Sequence, residues 1–205
     1  MLKDLTITEF LEQTASAEPL PGGGCTAALN AALAASLTEM VTNLTIGRKE
    51  FQSVEDEMKK IRKTAADLRK KLQDDIDNDA KAYREVLAAF KLPKNTESKK
   101  KQRSSAIQQA FKTAAKVPLG VARDAIKIMD LASRATARGN QNALSDGAVA
   151  VLACRAAALA AAYNVKINLG GIKDPDFVEE MTRQIEDLEH QVIEKETECL
   201  AQIKI

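Results

Sequence analysis

The sequence has few aromatic residues and few of the histidines and cysteines that bind zinc. Of its 205 residues only 3% are aromatic and none is tryptophan, while alanine, leucine, lysine, glutamate and glutamine dominate. This composition favours helices and argues against a β-sandwich or β-barrel. One histidine and three widely spaced cysteines, with no CxxC pair, do not supply a tetrahedral zinc site. We therefore expect an all-α protein with an aliphatic core and no metal centre.

The chain also lacks an excess of charge of either sign. Thirty lysines and arginines face 29 aspartates and glutamates, which leaves a formal net charge of +1. No overall electrostatic field therefore attracts nucleic acid or an anionic membrane. The basic run at residues 91–103 carries no aromatic side chain that would stack on bases, so we interpret it as a solvated connection between helices.

No segment is typical of export or of membrane insertion. The first residues lack the apolar core of a signal peptide. The alanine-rich run from Cys25 to Val41 is interrupted by polar residues and is too short to span a bilayer. An odd number of cysteines fits a reducing compartment. We expect a cytoplasmic protein with neither nucleic-acid nor membrane partners.

Apolar residues that recur in steps of three and four predict a bundle of about seven helices in one domain, residues 1–205. A short helix begins near Thr8, and Asp174 and Pro175 begin the last one. Pro118 is expected to start a separate helix, because a proline at the first helical position gives up no hydrogen bond. Residues 164–173 are interpreted as a loop. The remaining helices are predicted at about residues 25–43, 51–90, 107–117, 118–138 and 147–163.

The long central helix at residues 51–90 carries four aspartates, and one of them falls in the middle of its apolar stripe. Asp79 lies roughly 20° from Leu72 around the helix, whereas Asp77 lies roughly 140° away and Asp74 further still. Asp75 falls at the edge of the stripe. Desolvation would raise the pKa of an inward-facing carboxyl towards neutrality, where it can accept and return a proton. The alternative is a core aspartate paired with a lysine or arginine and without a chemical role.

Three consecutive glycines, Gly22, Gly23 and Gly24, precede the first alanine-rich helix. Their backbone N–H groups at a helix N-terminus can hold an anion, or the glycines can serve only to let the helix pack closely. Cys25 follows them without a nearby histidine to act as its base, so we do not assign it as a nucleophile. His190 lies among acidic residues and is interpreted as a surface residue.

Mostly neutral hydrogen-bonding side chains are concentrated at the ends of the second alanine-rich helix. Such groups suit an uncharged heterocycle that is rich in donors and acceptors. The candidates are Asn140, Asn142, Ser145, Asp146, Asn164 and Asn168.

Several segments together resemble the cyclodeaminase/cyclohydrolase family of folate enzymes. They are "PGGGCTAALNAALAASLTEMVTNLTIGRKEF", "DAKAYREVLAAFKLPKNT", "VPL", "GNQNALSD" and "NVKINL". The match runs nearly end to end and keeps the family's motif order. The resemblance implies an all-helical bundle that pairs into homodimers. It places the catalytic aspartate of a DxxA(F/Y) motif on Asp79 and a substrate contact on Tyr83, and it places Cys25 where many relatives have serine or another small residue.

The resemblance also implies a reaction. In formiminotetrahydrofolate cyclodeaminase, N10 of 5-formiminotetrahydrofolate attacks the formimino carbon, ammonia leaves, and 5,10-methenyltetrahydrofolate forms. Asp79 would take the N10 proton and help to deliver one to the departing nitrogen. The glycine loop, with Arg48, Lys49 or Lys94, would bind a carboxylate of the glutamate or polyglutamate tail. No cofactor is expected beyond the tetrahydrofolate substrate.

Two alternatives stay open at this point. Methenyltetrahydrofolate cyclohydrolase chemistry passes through a tetrahedral centre at the same carbon, with water as the nucleophile. A non-catalytic helical folate-binding or adaptor protein would use the same helices mainly for association.

Overall fold

Six α-helices account for most of the computed structural model, which describes residues 1–203. No strand occurs within that range, which confirms the all-α prediction. Short 3-10 helices at Leu2–Asp4, Lys49–Val54 and Gln141–Ala143 complete the element order. The six helices are α1 (Ile7–Thr14), α2 (Gly23–Asn43), α3 (Glu55–Lys91), α4 (Glu97–Arg138), α5 (Leu144–Leu169) and α6 (Pro175–Ala201).

Side-chain caps account for three of the six helix starts. The Thr6 side chain accepts from the backbone N–H of Glu9, whose carboxylate accepts from Thr6 in return, so α1 begins with a capping box. Thr96 caps α4 through the N–H of Lys99. The predicted start of α6 is confirmed, because the Asp174 side chain accepts from the backbone N–H of Phe177.

The alanine-rich helices α2 and α5 lie side by side in the centre of the bundle. Small side chains bring helix backbones close together, and Gly147 on α5 is an example: a Cβ there would lie 1.9 Å from Oγ1 of Thr136 on α4. Gln141–Leu169 is long and apolar enough to cross a membrane by length and composition alone. This segment packs against α2, α4 and α6, as the central helix of a bundle does.

The helix count differs from the prediction because α4 is continuous. It runs through Pro118 without ending there, and it begins at Glu97, ten residues before the predicted start. The expected loop at residues 164–173 is also wrong in its first part, since α5 extends to Leu169. Residues 164 and 168 lie within α5, and their side-chain amides donate to the carbonyls of Ala160 and Asn164.

Candidate active site

A cavity of about 380 Å³ lies where the first turn of α2 meets α3, α4 and α5. The backbone of the glycine loop and four polar side chains line it, and the rest of its wall is apolar. This volume lies at the lower end of the range of small-molecule sites. The lining residues are Pro19, Leu20, Gly22, Gly23, Gly24, Asp79, Tyr83, Val86, Phe111, Ala114, Asn164, Ile167 and Asn168.

Asp79 on α3 turns inward towards the first turn of α2, as the helical phase predicts. Its Oδ2 accepts a hydrogen bond from Sγ of Cys25 at 3.3 Å. Burial raises the pKa of the Asp79 carboxyl, and the thiol and backbone N–H of Cys25 oppose that rise. None of the cavity-lining residues among residues 1–203 is a lysine, arginine or histidine, so no cation from this described range holds the carboxylate in its charged form. An inward carboxylate without a cation is suited to proton transfer.

The neighbouring aspartates have structural partners. Asp75 is buried, and its carboxylate accepts a hydrogen bond from Nζ of Lys71 at 2.7 Å. The prediction that Asp77 is a solvent residue is wrong, since its Oδ1 accepts from the backbone N–H of Leu2 at 2.7 Å and the residue is partly buried. The N-terminal 3-10 helix covers that side of α3, which the helical phase alone does not reveal.

The glycine loop brings α2 against both α3 and α5. A Cβ on Gly24 would lie 2.1 Å from Oδ1 of Asp79, and a Cβ on Gly23 would lie 3.2 Å from Nδ2 of Asn164. Close packing of α2 against α3 therefore requires a glycine at position 24. The same residues also place the first N–H groups of α2 at the cavity, where they can donate to a bound anion.

Cys25 is fully buried, and burial together with the nearby Asp79 raises the pKa of its thiol to about 12. A thiol with this pKa stays protonated and acts as a donor to Asp79. This agrees with the assignment of Cys25 as a residue that is not a nucleophile. Its hydrogen bond to Asp79 was not predicted, because the two residues are 54 positions apart.

Tyr83, Asn164 and Asn168 line the cavity as predicted. Tyr83 lies one turn after Asp79 on α3 and is 37% exposed, so its ring is open to the cavity mouth. Both asparagines project from the last two turns of α5. All three groups are neutral hydrogen-bonding groups, as recognition of an uncharged ring requires.

Seven other predicted ligands lie outside this cavity. Asn140 is buried at the opposite end of α2, roughly 30 Å away along a helix of 21 residues. Its side chain donates to the carbonyl of Leu44 and accepts from the N–H of Asn142, so it joins the ends of α2 and α4. The length of α2 separates all of the seven except Lys94 from Asp79, and Lys94 follows the end of α3. The seven are Arg48, Lys49, Lys94, Asn140, Asn142, Ser145 and Asp146.

The apolar walls were not predicted as parts of a site. Val86 and Phe111 follow the periodicity of ordinary core positions in the sequence, and Ile167 falls in the segment that was expected to be a loop. Gly171 lets the Phe111 ring approach, since a Cβ there would lie 2.6 Å from the ring carbons. Ile167 is 76% exposed at the cavity mouth. An unusually exposed isoleucine becomes visible only once the helix packing is known.

The described residues contain no group of three or more histidine, cysteine, aspartate or glutamate side chains that could hold a metal ion. His190 on α6 is exposed, as predicted.

A family model described as formiminotransferase-cyclodeaminase matches residues 6–187. The chain belongs to this family. The resemblance recognised in the motifs is thereby confirmed.

Full-length and partial relatives support the same membership. The chain is 42% identical over 183 residues to a methenyltetrahydrofolate cyclohydrolase from Methylorubrum extorquens, covering 89% of this chain and 88% of that protein. It is 33% identical over 187 residues to a formimidoyltransferase-cyclodeaminase from Rattus norvegicus, where the match covers 91% of this chain and 35% of the rat protein. A formiminotetrahydrofolate cyclodeaminase structure from Thermotoga maritima matches with a TM-score of 0.89 and 30% identity, over 99% of this chain and 98% of that one.

Proposed function

We propose that this family member hydrolyses 5,10-methenyltetrahydrofolate to 10-formyltetrahydrofolate, with Asp79 as the proton carrier. The observation that carries the proposal is an inward carboxylate without a cation in a cavity otherwise lined by neutral groups. The 42% identity to a cyclohydrolase over nearly the full length of both chains supports our preference for hydrolysis over deamination. This reverses the order in which the motifs alone ranked the two reactions.

In this mechanism water adds to the carbon between N5 and N10, and Asp79 accepts the proton that the water loses. The bond from this carbon to N5 then breaks, and Asp79 returns its proton to N5. The hydroxyl proton leaves to solvent as the formyl C=O forms, so one proton is released for each turnover. A carboxyl whose pKa is raised by burial suits both steps, because it holds and returns a proton at higher pH than an exposed carboxyl does.

Formiminotetrahydrofolate cyclodeaminase is the second candidate, favoured by the matching structure from Thermotoga maritima. Here N10 replaces water as the nucleophile at the same carbon. Asp79 would accept the N10 proton and help to protonate the nitrogen that leaves as ammonia. Holding N10 close to the formimino carbon supplies much of the acceleration.

The tail of the folate carries at least one carboxylate, and two places near the cavity can receive it. The N–H groups at the start of α2 form one of them. Lys94, which does not line the cavity itself, is the other; it follows the end of α3, and that end lies about two helical turns beyond Tyr83. We propose that longer polyglutamate tails extend in this direction.

We also propose that the chain pairs with a second copy through α2 and α5. These neighbouring antiparallel helices carry exposed apolar side chains, and α2 has Glu39 as its only charged residue. A self-complementary apolar face is typical of two-fold dimers. An antiparallel pairing would bring the far end of α2, with Arg48 and Lys49, towards the cavity of the other copy. The exposed face consists of Leu33, Leu44, Val149, Leu152, Tyr163 and Ile167.

Two assays on the purified chain test the reaction. Loss of the methenyl chromophore reports hydrolysis, and ammonia release from 5-formiminotetrahydrofolate reports deamination. Asp79→Asn should lower kcat of the true reaction by about 100- to 10,000-fold, since it removes the group that transfers protons. Asp67→Asn, at an exposed position of the same helix, is the matched control and should leave kcat unchanged.

A non-catalytic folate-binding protein gives a different result. It would show a folate-dependent rise in melting temperature without turnover of either substrate by the wild-type chain. Near wild-type turnover by Asp79→Asn would contradict the role of Asp79 while leaving the reaction itself in place.

A further inference from the structure

The carbonyl of Ala114 has lost its partner within its own helix. In an α-helix each carbonyl accepts from the N–H four residues later, and the residue four positions after Ala114 is Pro118, which has no N–H. Both residues are buried. Nδ2 of Asn168 on α5 donates to this carbonyl instead, at 3.2 Å. Pro118 on α4 therefore leaves a carbonyl free to accept a hydrogen bond from a side chain on α5.

This contact fixes which way the Asn168 amide points. Nδ2 also donates to the carbonyl of Asn164 at 2.7 Å. An amide nitrogen has two hydrogens, and both are directed at carbonyl oxygens here. The reversed amide would place Oδ1 against the same two oxygens, which repel it. Asn168 can therefore offer only an acceptor, its Oδ1, to the cavity that it lines.

The second asparagine of the wall is not restricted in this way. Nδ2 of Asn164 donates to the carbonyl of Ala160, which leaves its second hydrogen free. Asn164 can present both a donor and an acceptor to a ligand. The two asparagines, one turn apart on α5, are therefore chemically different.

We propose that Asn168 selects the ligand of this cavity by accepting a hydrogen bond from a ring N–H of a reduced pterin, and that Pro118 is the positioning residue that holds Asn168 in this orientation. The inference rests on the proposed function, since the pterin of a tetrahydrofolate presents N–H donors along one edge. A ring with an acceptor or a methyl group at that place would leave Oδ1 unpaired or crowded, which weakens binding.

Two single variants and their combination separate ligand recognition from helix packing. Asn168→Ala removes the acceptor and also leaves the Ala114 carbonyl without its donor. Pro118→Ala restores an N–H to α4 that can satisfy this carbonyl, and it frees one hydrogen of Asn168. The double variant has a satisfied Ala114 carbonyl and no acceptor. Pro175→Ala, at the first residue of α6 and outside the cavity, controls for loss of a proline.

The measurements are the melting temperature and the Kd for 5-formyltetrahydrofolate, a stable analogue of the proposed substrates. Asn168→Ala should lower the melting temperature and weaken binding about tenfold. Pro118→Ala should keep or raise the melting temperature and yet weaken binding about threefold, because only the Asn164 carbonyl then needs the Asn168 amide nitrogen and the amide is held less firmly. The double variant should regain the melting temperature but bind as weakly as Asn168→Ala.

If Asn168 and Pro118 acted only in helix packing, no variant would bind 5-formyltetrahydrofolate more weakly while its melting temperature is kept or raised. Wild-type affinity in the double variant would overturn the inference, since Asn168 would then act only by capping α4. If Asn168→Ala fails to fold, the double variant still decides the question. A wild-type chain that binds no 5-formyltetrahydrofolate would overturn the proposed function and this inference together. The two failures are distinguishable, because wild-type affinity in the double variant overturns this inference alone.

Discussion

The carboxylate of Asp79 occupies the space that any side chain at residue 24 would need. A Cβ on Gly24 would lie 2.1 Å from Oδ1 and 2.4 Å from Cγ of Asp79. The distance is shorter than atoms tolerate without movement, so α2 and α3 can approach only because residue 24 is a glycine. The glycine loop and the proposed proton carrier, 55 positions apart in the sequence, thus form one structural unit.

Gly24→Ala should therefore displace Asp79 and lower kcat by about 100-fold, because small shifts of a reacting group are costly to catalysis. The crowding should also reduce the free energy of unfolding by about 1–3 kcal/mol. Steady-state kinetics and urea denaturation measure the two effects. Gly120→Ala on α4 is the control, since the nearest atom to its Cβ would be the flexible Lys71 Nζ at 3.9 Å. Unchanged kcat in Gly24→Ala would contradict the coupling.

Helical phase was sufficient to find Asp79 from the sequence. A period of 3.6 residues determines which face of a long uninterrupted helix each side chain occupies, and α3 has no glycine or proline to disturb it. Phase does not show what covers that face. Asp77 was misassigned because the covering element, the N-terminal 3-10 helix, is distant in sequence. The ligands expected at residues 140–146 do not line the cavity, because they lie at the far end of α2. The distance between two segments in the fold could not be read from the polar motifs in the sequence.

The continuity of α4 could not be predicted from local rules. Proline usually ends or kinks a helix, and the expected break at Pro118 followed that rule. The helix continues because Asn168 supplies the donor that the Ala114 carbonyl lost. This compensation comes from another helix 54 positions away, so tertiary structure overrides the local preference here.

Asp79→Asn should increase stability at neutral pH, although it should lower kcat. Burial raises the pKa of the Asp79 carboxyl in the folded chain above its ordinary value of 3.8. The folded chain therefore holds this proton more tightly than the unfolded chain does, and that contribution to stability is lost as pH rises through the folded pKa. The uncharged asparagine avoids the loss. Urea denaturation at pH 4 and pH 7.5 should show an advantage of the variant that is larger at pH 7.5.

Asp67→Asn provides a control of opposite sign. The Lys63 side chain holds the pKa of the Asp67 carboxyl below its ordinary value, so its charged form is favoured in the folded chain. The variant should lose stability at pH 7.5 and lose less at pH 4. Equal behaviour of the two variants would show that the pKa of Asp79 is not raised.

Cys25 should tune the pH at which the enzyme loses activity in acid. Its thiol donates to Oδ2 of Asp79 and so lowers the pKa of that carboxyl. Cys25→Ala removes the donor and should move the acid limb of kcat/KM to higher pH. Cys25→Ser supplies a hydroxyl, which forms shorter and stronger hydrogen bonds, and should move the limb to lower pH. Cys154→Ala, at a buried cysteine outside the cavity, should not move it. A common limb for all four proteins would contradict the assignment.

Dimerisation through α2 and α5 should depend on the exposed leucines of these helices. Leu33 is 51% exposed and Leu152 is 47% exposed, and a glutamate at either position would place a charge in an apolar interface. Light scattering after size exclusion should give a dimer mass for the wild-type chain and a monomer mass for Leu33→Glu and Leu152→Glu. Leu11→Glu, on α1 and 60% exposed, should remain a dimer. Activity completes the test: monomeric variants that fold normally but lose folate affinity would indicate that Arg48 and Lys49 act across the interface, whereas full affinity in the monomers would confine the site to the cavity around Asp79.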